Sequence, residues 1–228
     1  MTNSPPLTTI VPVGTVVKNN IKQYGHYVME ERAVASLLDG LKPVQRKLLW
    51  SIWNRLGGRP EGQSKKSARV VGETTGCFHP HAPESAYQSL ANMVWDNYPL
   101  IEGVGNFGDP INGHPPASMR YTGVRPTPLV QKMFEDIPIA DFEKNYTGEI
   151  DEPILLPTQL PLLLMNGSEG ICVGTRANIG SHNLEELVEG LLLLLDNPNT
   201  RDSTLFSHIK GPDFFEGGTI LSTKEEIE

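Results

Sequence analysis

Pro43-Val44-Gln45-Arg46-Lys47-Leu48-Leu49-Trp50-Ser51-Ile52-Trp53-Asn54-Arg55-Leu56-Gly57-Gly58 reads as a helix with a marked start and stop. Pro43 stands where a first helical residue tolerates a missing N–H. Val44, Leu48, Ile52 and Leu56 then recur every four residues, with Arg46, Lys47 and Arg55 mainly on or beside the other face, and the glycine pair ends the run. After a polar turn, Ser64 is placed to cap a second helix from Lys65 to about Thr75, stopped by Gly76. Two short helices joined by a Gly/Pro turn, with cations leading the second, predict a helix-turn-helix. Any small helical hairpin gives the same pattern, so charge has to decide the reading.

The net charge of the 228-residue chain is −8, which by itself argues against a polyanionic partner. Its distribution argues the other way: Lys42 to Arg69 holds eight basic residues (Lys42, Arg46, Lys47, Arg55, Arg59, Lys65, Lys66, Arg69) against Glu61 alone. Counterion release responds to a local patch and not to net charge. A solvated helix face is the ordinary alternative.

On the N-terminal side, residues 1 to about 13 read as an extended arm, and a helical stretch follows through Tyr27, Met29, Val34, Leu37 and Leu38 to Asp39-Gly40. On the C-terminal side, His79-Pro80-His81 puts two imidazoles in a turn without the further ligand that zinc would require. Pro83 opens a third helix. Gly103-Val-Gly105-Asn-Phe-Gly108 matches a dinucleotide fingerprint, but Asp109-Pro110 and Pro115-Pro116 follow and exclude the helix that motif needs. It reads as a glycine-rich connection or wing leading into Ala117-Ser-Met-Arg120-Tyr121-Thr122. Thr127-Pro128 restarts a helix, and Asn145-Tyr-Thr-Gly148 marks a turn. Leu162 to Met165, Asn166-Gly167 and Gly170 to Gly174 predict a hairpin. Asn183 with Glu186 caps a leucine-rich helix whose Leu191–Leu195 run predicts burial, and Thr223 with Glu226 opens one more turn.

Cys77 and Cys172 give neither a disulfide framework nor a zinc pattern, which points to a reducing compartment. No secretory signal precedes the first helix, and the leucine run is far shorter than the ~20 residues a span requires.

In this order, Asp39-Gly-Leu-Lys-Pro-Val-Gln-Arg46, Lys65-Lys-Ser-Ala-Arg69-Val-Val-Gly72, His79-Pro-His81, Gly105-Asn-Phe-Gly108, Ala117-Ser-Met-Arg-Tyr121-Thr122, Leu156-Pro-Thr158 and Asn166-Gly-Ser168-Glu-Gly-Ile171 resemble the breakage-reunion subunit of bacterial-type IIA DNA topoisomerases. The resemblance runs from about Tyr27 to Phe214. It implies an α+β chain: an arm (1–26), a winged-helix domain with the catalytic tyrosine (27–150) and the start of a mixed tower domain (151–228). Tyr121 matches the tyrosine that attacks a backbone phosphate, and Arg120 its neighbour. Arg32, His79 and His81 match residues around the scissile phosphate. Lys42, Arg46, Lys47, Lys65, Lys66, Ser67, Arg69 and Thr122 are the DNA contacts it implies, and Ile171 the wedge between base pairs. No metal ligand is expected in this chain. The resemblance implies that a toprim/ATPase partner subunit holds Mg²⁺ and ATP, that the cytoplasmic, nucleoid-associated protein acts on double-stranded DNA, and that full-length relatives dimerise.

Some positions depart from the family pattern. Gln45 and Lys47 stand where His and Arg are common, and Ala82-Pro83-Glu84 and Gln88 replace the serine and acid of the quinolone bridge. Two other functions fit the same residues: a DNA-binding module that does not cut, and a fragment that binds and inhibits a topoisomerase partner.

Overall fold

The computed structural model describes residues 11–214 and 217–227, so residues 1–10 of the expected arm lie outside it. The described residues form a mixed α+β chain of helices and small antiparallel sheets. Helix α1 (Val13–Val28) passes into a π-helical turn, Met29–Ala33. The arm is therefore helical from Val13 onward.

Helix α2 (Pro43–Trp50) has Pro43 in its first turn and continues as a wider turn, Ser51–Arg55. Val44, Leu48, Ile52 and Leu56 are all buried, as their spacing predicts. They pack with Val70 and Val71 of α3 (Ser67–Cys77) and Ala86 and Leu90 of α4 (Pro83–Asn92). Trp53 stacks on Phe134 of α5 (Pro128–Glu135) at 4.7 Å between ring centres. Aromatic pairs of this kind add to plain area burial.

Lys65 and Lys66 do not begin the second helix. They form a short strand, β1 (Lys65–Lys66), antiparallel to β3 (Gly123–Pro126), which also pairs with β2 (Ile101–Val104) in the order β1-β3-β2. Pairing with Gly123 and Val124 fixes these lysines in extended backbone, and α3 starts two residues later than Ser64 predicts. Ser64 caps nothing.

A second small sheet joins β4 (Phe142–Lys144) to β5 (Asp151–Pro153). The Asn145 side chain shapes its turn by accepting from the Glu149 and Ile150 N–H groups, and donates to the Cys77 carbonyl at the end of α3. The expected boundary at 150 thus falls inside a hairpin.

The third hairpin is displaced from its predicted place. Leu162 to Met165 is helical, within α6 (Leu162–Asn166), and the strands are β6 (Ser168–Cys172) and β7 (Thr175–Ile179). A four-residue apolar run has no periodicity to separate helix from strand. Gly167, at φ +68°, ends the helix, and Gly174, at φ +82°, turns the hairpin.

Asn183 caps α7 (Leu184–Asp196) through the N–H groups of Glu185 and Glu186. The Leu191–Leu195 run is not buried as predicted: Leu192 and Leu195 are 56% and 78% exposed and the other three leucines half-buried, while Leu187, one turn earlier, is covered. Helix α8 (Asp202–His208) packs beside it, and α9 (Lys224–Ile227) is the single turn expected after Thr223. Among the described residues no helix is long and apolar enough to cross a membrane.

Candidate functional site

Helix α3 has no side-chain cap. Its first N–H groups go instead to the 115–122 loop: Ser67 donates to the Thr122 carbonyl at 3.0 Å and Ala68 to the Met119 carbonyl at 3.1 Å. A helix end leaves such donors to be satisfied from outside, and here the loop supplies the acceptors. The buried Thr122 hydroxyl donates to Ser67 Oγ at 2.9 Å and lies 3.0 Å from the Tyr87 hydroxyl, which also donates to the Ala117 carbonyl. Gly105, at φ +104°, lets the chain pass within reach of the Tyr121 carbonyl. The glycine-rich run is thus strand β2 followed by a turn, not a phosphate-binding helix start.

Between these anchors Tyr121 projects outward, 64% exposed, with the Arg120 guanidinium 4.8 Å from its ring centre. Among the described residues its hydroxyl makes no hydrogen bond. Such a phenol is free to meet an electrophile, and the guanidinium over its ring face makes a cation–π contact. Lys66 and Arg69 are exposed and Lys65 half-buried nearby on the same anchored unit, and none of the three forms an ion pair among the described residues.

The imidazoles lie at the opposite end of α3. The His79 N–H bonds to the Thr74 carbonyl, and the His79 and His81 rings meet edge to face at 4.5 Å. His81 Nε2 lies 3.3 Å from the Tyr27 hydroxyl. Burial depresses the His79 pKa to about 4, with the neighbouring His81, Lys47 and Arg32 charges acting in the same direction. Arg32, Lys47 and His81 therefore lie around His79, whose imidazole stays neutral down to about pH 4. Its backbone anchor, Thr74, and that of the Tyr121 loop, Ser67, are seven residues apart on α3, about 10 Å at 1.5 Å per residue. The Tyr121 loop and the imidazoles are thus anchored toward opposite ends of one helix.

Much of the basic run is used internally. Arg46 is buried, not surface-facing: its Nε and Nη2 donate to the fully buried Asp39 carboxylate at 2.6 and 3.0 Å. Lys47 pairs with Glu152 at 3.4 Å and Arg55 with Glu73 at 2.8 Å, while Arg59 lies 3.9 Å over Trp53. Lys42 donates to the Glu169 carbonyl, and burial lowers its pKa, with Glu169 opposing. Gln45 accepts from the Lys42 N–H and so serves as a helix cap. Ser67 and Thr122, expected as DNA contacts, are buried and bonded to each other.

Ile171 is 74% exposed near the tip of the β6–β7 hairpin. That hairpin is seated by Gly170 directly against the Ala33 carbonyl, where a Cβ would not fit. Sequence reasoning missed Asp39 and Tyr87. Asp39 opens the Asp39–Arg46 run and reads as a helix stop, and nothing local marks Tyr87 as the loop's anchor. Among the described residues no three His, Cys, Asp or Glu side chains are grouped to hold a metal ion.

A family model described as the A subunit of DNA gyrase/topoisomerase IV matches residues 32–228. The chain is 44% identical over 208 residues to the A subunit of DNA topoisomerase 4 from Synechocystis, covering 89% of this chain and 22% of that protein. It is 42% identical over 219 residues to the DNA gyrase A subunit of Thermotoga maritima, covering 94% and 27%. To a DNA gyrase A subunit sequence of Spiroplasma citri it is 40% identical over 212 residues, covering 91% and 92%. The chain thus spans about a quarter of the length of the first two relatives.

Proposed function

The chain belongs to the family of DNA gyrase and topoisomerase IV A subunits, and from that premise we propose that it is the DNA cleavage and religation part of a type IIA topoisomerase. The observation that carries the reading is the exposed Tyr121 hydroxyl beside Arg120, held on a loop hydrogen-bonded to the start of α3. Helices α2 to α4 with the β1-β3-β2 sheet serve as a winged helix, and the chain after the β4–β5 hairpin as the start of a tower.

In the proposed step the Tyr121 oxygen attacks a DNA phosphorus. The phenolic proton leaves, the bond to the 3′ oxygen breaks, that oxygen takes a proton, and a 5′-phosphotyrosyl ester remains. Religation is the reverse, and the ester conserves the phosphodiester energy. A phenol with an ordinary pKa near 10 is a weak nucleophile at pH 7. Arg120, Lys65, Lys66 and Arg69 supply positive charge where the phenolate and the pentacoordinate phosphate need it.

Arg32, Lys47, His79 and His81 hold backbone toward the other end of α3. In this reading a second copy supplies one of the two sets to the scissile phosphate. In this reading Mg²⁺, and the ATP that drives strand passage, are held by a toprim partner subunit. Ile171, on its seated hairpin, acts as the wedge: unstacking costs a few kcal/mol and yields a bent duplex.

The test is covalent trapping. The chain, a toprim partner subunit, Mg²⁺ and end-labelled supercoiled DNA are mixed and denatured with detergent, and protein attached to 5′ ends is measured. The expected result is an adduct from the wild type and none from Tyr121→Phe. Duplex binding without any adduct would favour a DNA-binding module that does not cut.

A further inference from the structure

Tyr87, on the second turn of α4, is buried and takes no part in the proposed attack on phosphorus. A buried tyrosine ordinarily finds some hydrogen-bond partner, so its bonds alone say little. Where the partners lie says more. The Tyr87 hydroxyl donates to the Ala117 carbonyl and lies 3.0 Å from Thr122 Oγ1. Those two residues bracket Ser118-Met119-Arg120-Tyr121, so one side-chain oxygen ties together both ends of the segment that carries the exposed phenol.

Inside the bracket, the Ala68 N–H holds the Met119 carbonyl and the Ser118 carbonyl holds the Tyr121 N–H. The Arg120 and Tyr121 side chains are themselves exposed, so the backbone anchors decide where the phenol stands. Thr122 Oγ1 is also hydrogen-bonded to Ser67 Oγ at 2.9 Å, and both residues are fully buried. Tyr87, Thr122 and Ser67 thus form a buried relay from α4 through the loop to the first residue of α3. The Tyr87 ring is fixed in the core beside Ala86 and Leu90, and close-packed cores hold their side chains in place. Helix α4 itself starts two residues after His81. The helix that leaves the imidazole turn is therefore the one that holds the tyrosine loop.

We propose that Tyr87 is a positioning residue for Tyr121: its hydroxyl closes the 117–122 loop so that the phenolic oxygen meets the scissile phosphorus in line. The inference deepens the cleavage reading and rests on it. Loss of the hydroxyl leaves the phenol, its cations and the ring packing in place but frees the Ala117 end of the loop. A displacement of about 1 Å in a reacting atom costs about a hundredfold in rate. A hydroxyl that merely stabilised the fold would lower the unfolding midpoint without selecting the chemical step.

The experiment follows adduct formation in time, in the trapping reaction with the toprim partner subunit and Mg²⁺, at saturating duplex; duplex affinity is measured separately without Mg²⁺. Tyr87→Phe is expected to slow adduct formation about tenfold to a hundredfold while affinity changes less than about twofold. Leu187→Ala, on the buried face of α7, destabilises the chain far from the loop. At a temperature where both variants are folded, it is expected to leave the rate unchanged. Thr122→Val cuts the relay from the loop side and is expected to slow the reaction, and Thr122→Ser, which keeps the hydroxyl, to restore it. The loss in the Tyr87→Phe/Thr122→Val double variant is expected to fall short of the product of the single losses, because both act on one relay. An undiminished rate in Tyr87→Phe, a loss that resides in affinity, an equal slowing by Leu187→Ala, or a fully multiplicative double variant overturns the positioning role and leaves the cleavage reading standing. If Tyr87→Phe does not fold, the Thr122 pair decides, and equal rates from Val and Ser overturn the proposal. Absence of adduct from the wild type overturns the cleavage reading and this inference with it, which keeps the two failures apart.

Discussion

Replacing Asp39 with alanine would remove the acceptor around which the segment before α2 is folded. Its fully buried carboxylate accepts from Arg46 Nε and Nη2, from the Leu41 N–H at 3.1 Å and from the Leu156 N–H at 3.1 Å. Removing one partner of a buried pair leaves the other charge stranded, at about 3–5 kcal/mol. For a chain of this size about 4 kcal/mol lowers the unfolding midpoint by about 8–16 °C. Arg46→Met should cost a similar amount, because the carboxylate then keeps only two backbone donors. The Asp39→Asn/Arg46→Met double variant should recover part of the loss, because neither charge is then orphaned. Thermal unfolding at fixed salt measures all three. The same variants, titrated with duplex DNA over a range of salt, separate a structural arginine from a phosphate contact. A phosphate contact contributes about 0.9 to the slope of log affinity against log salt. If Arg46→Met lowers that slope by about one while the midpoint stays unchanged, the assignment of Arg46 to the core is wrong.

Lys66→Ala should do the reverse, lowering the salt slope by about 0.9 and leaving the midpoint unchanged, because Lys66 is exposed and forms no ion pair among the described residues. Thr122→Val should cost about 1–3 kcal/mol, because Ser67 and Tyr87 lose a buried partner, and should reduce adduct formation through a loosened loop. For His79 the unfolded chain, with a pKa near 6.5, takes up the proton before the folded chain does at about 4. Its contribution to stability is therefore complete above pH 6.5 and is lost as the pH falls toward 4, by about 3 kcal/mol at most; His79→Gln should flatten that part of a denaturation-against-pH curve. Gly170→Ala should unseat the β6–β7 hairpin, because a Cβ meets the Ala33 carbonyl, and should reduce DNA bending in an end-to-end distance measurement as much as Ile171→Ala does.

What was legible in the sequence was local. The four-residue spacing of Val44, Leu48, Ile52 and Leu56 gave α2 its buried face, Pro83 and Thr127-Pro128 marked helix starts, and Asn183 marked a cap that the structure has. What was missed depends on partners distant in sequence. Lys65-Lys66 is a strand only because Gly123 and Val124 lie beside it. Arg46 turns inward because Asp39, seven residues earlier, is buried with it, and a helical wheel of α2 alone puts it among the surface cations. Leu192 and Leu195 show the converse limit: hydrophobicity predicts a need for cover but not where the cover comes from. The candidate site was legible as residue types. That Tyr121 and His79 stand at opposite ends of one helix was not, because their placement depends on which loop closes α3.

The bonds from the α3 amides to the Thr122 and Met119 carbonyls have a mechanical meaning once DNA is attached. In the proposed adduct a broken strand esterified to Tyr121 would hang from a short loop, and tension along that strand would pass through those two backbone bonds into the helix and through β3 into the sheet. The load is then borne by the whole packed unit instead of by one side chain, so the two ends can be drawn apart without the ester swinging out of line. Slow amide exchange at Ser67 and Ala68 that persists in the covalent adduct would be the signature of that harness holding under load.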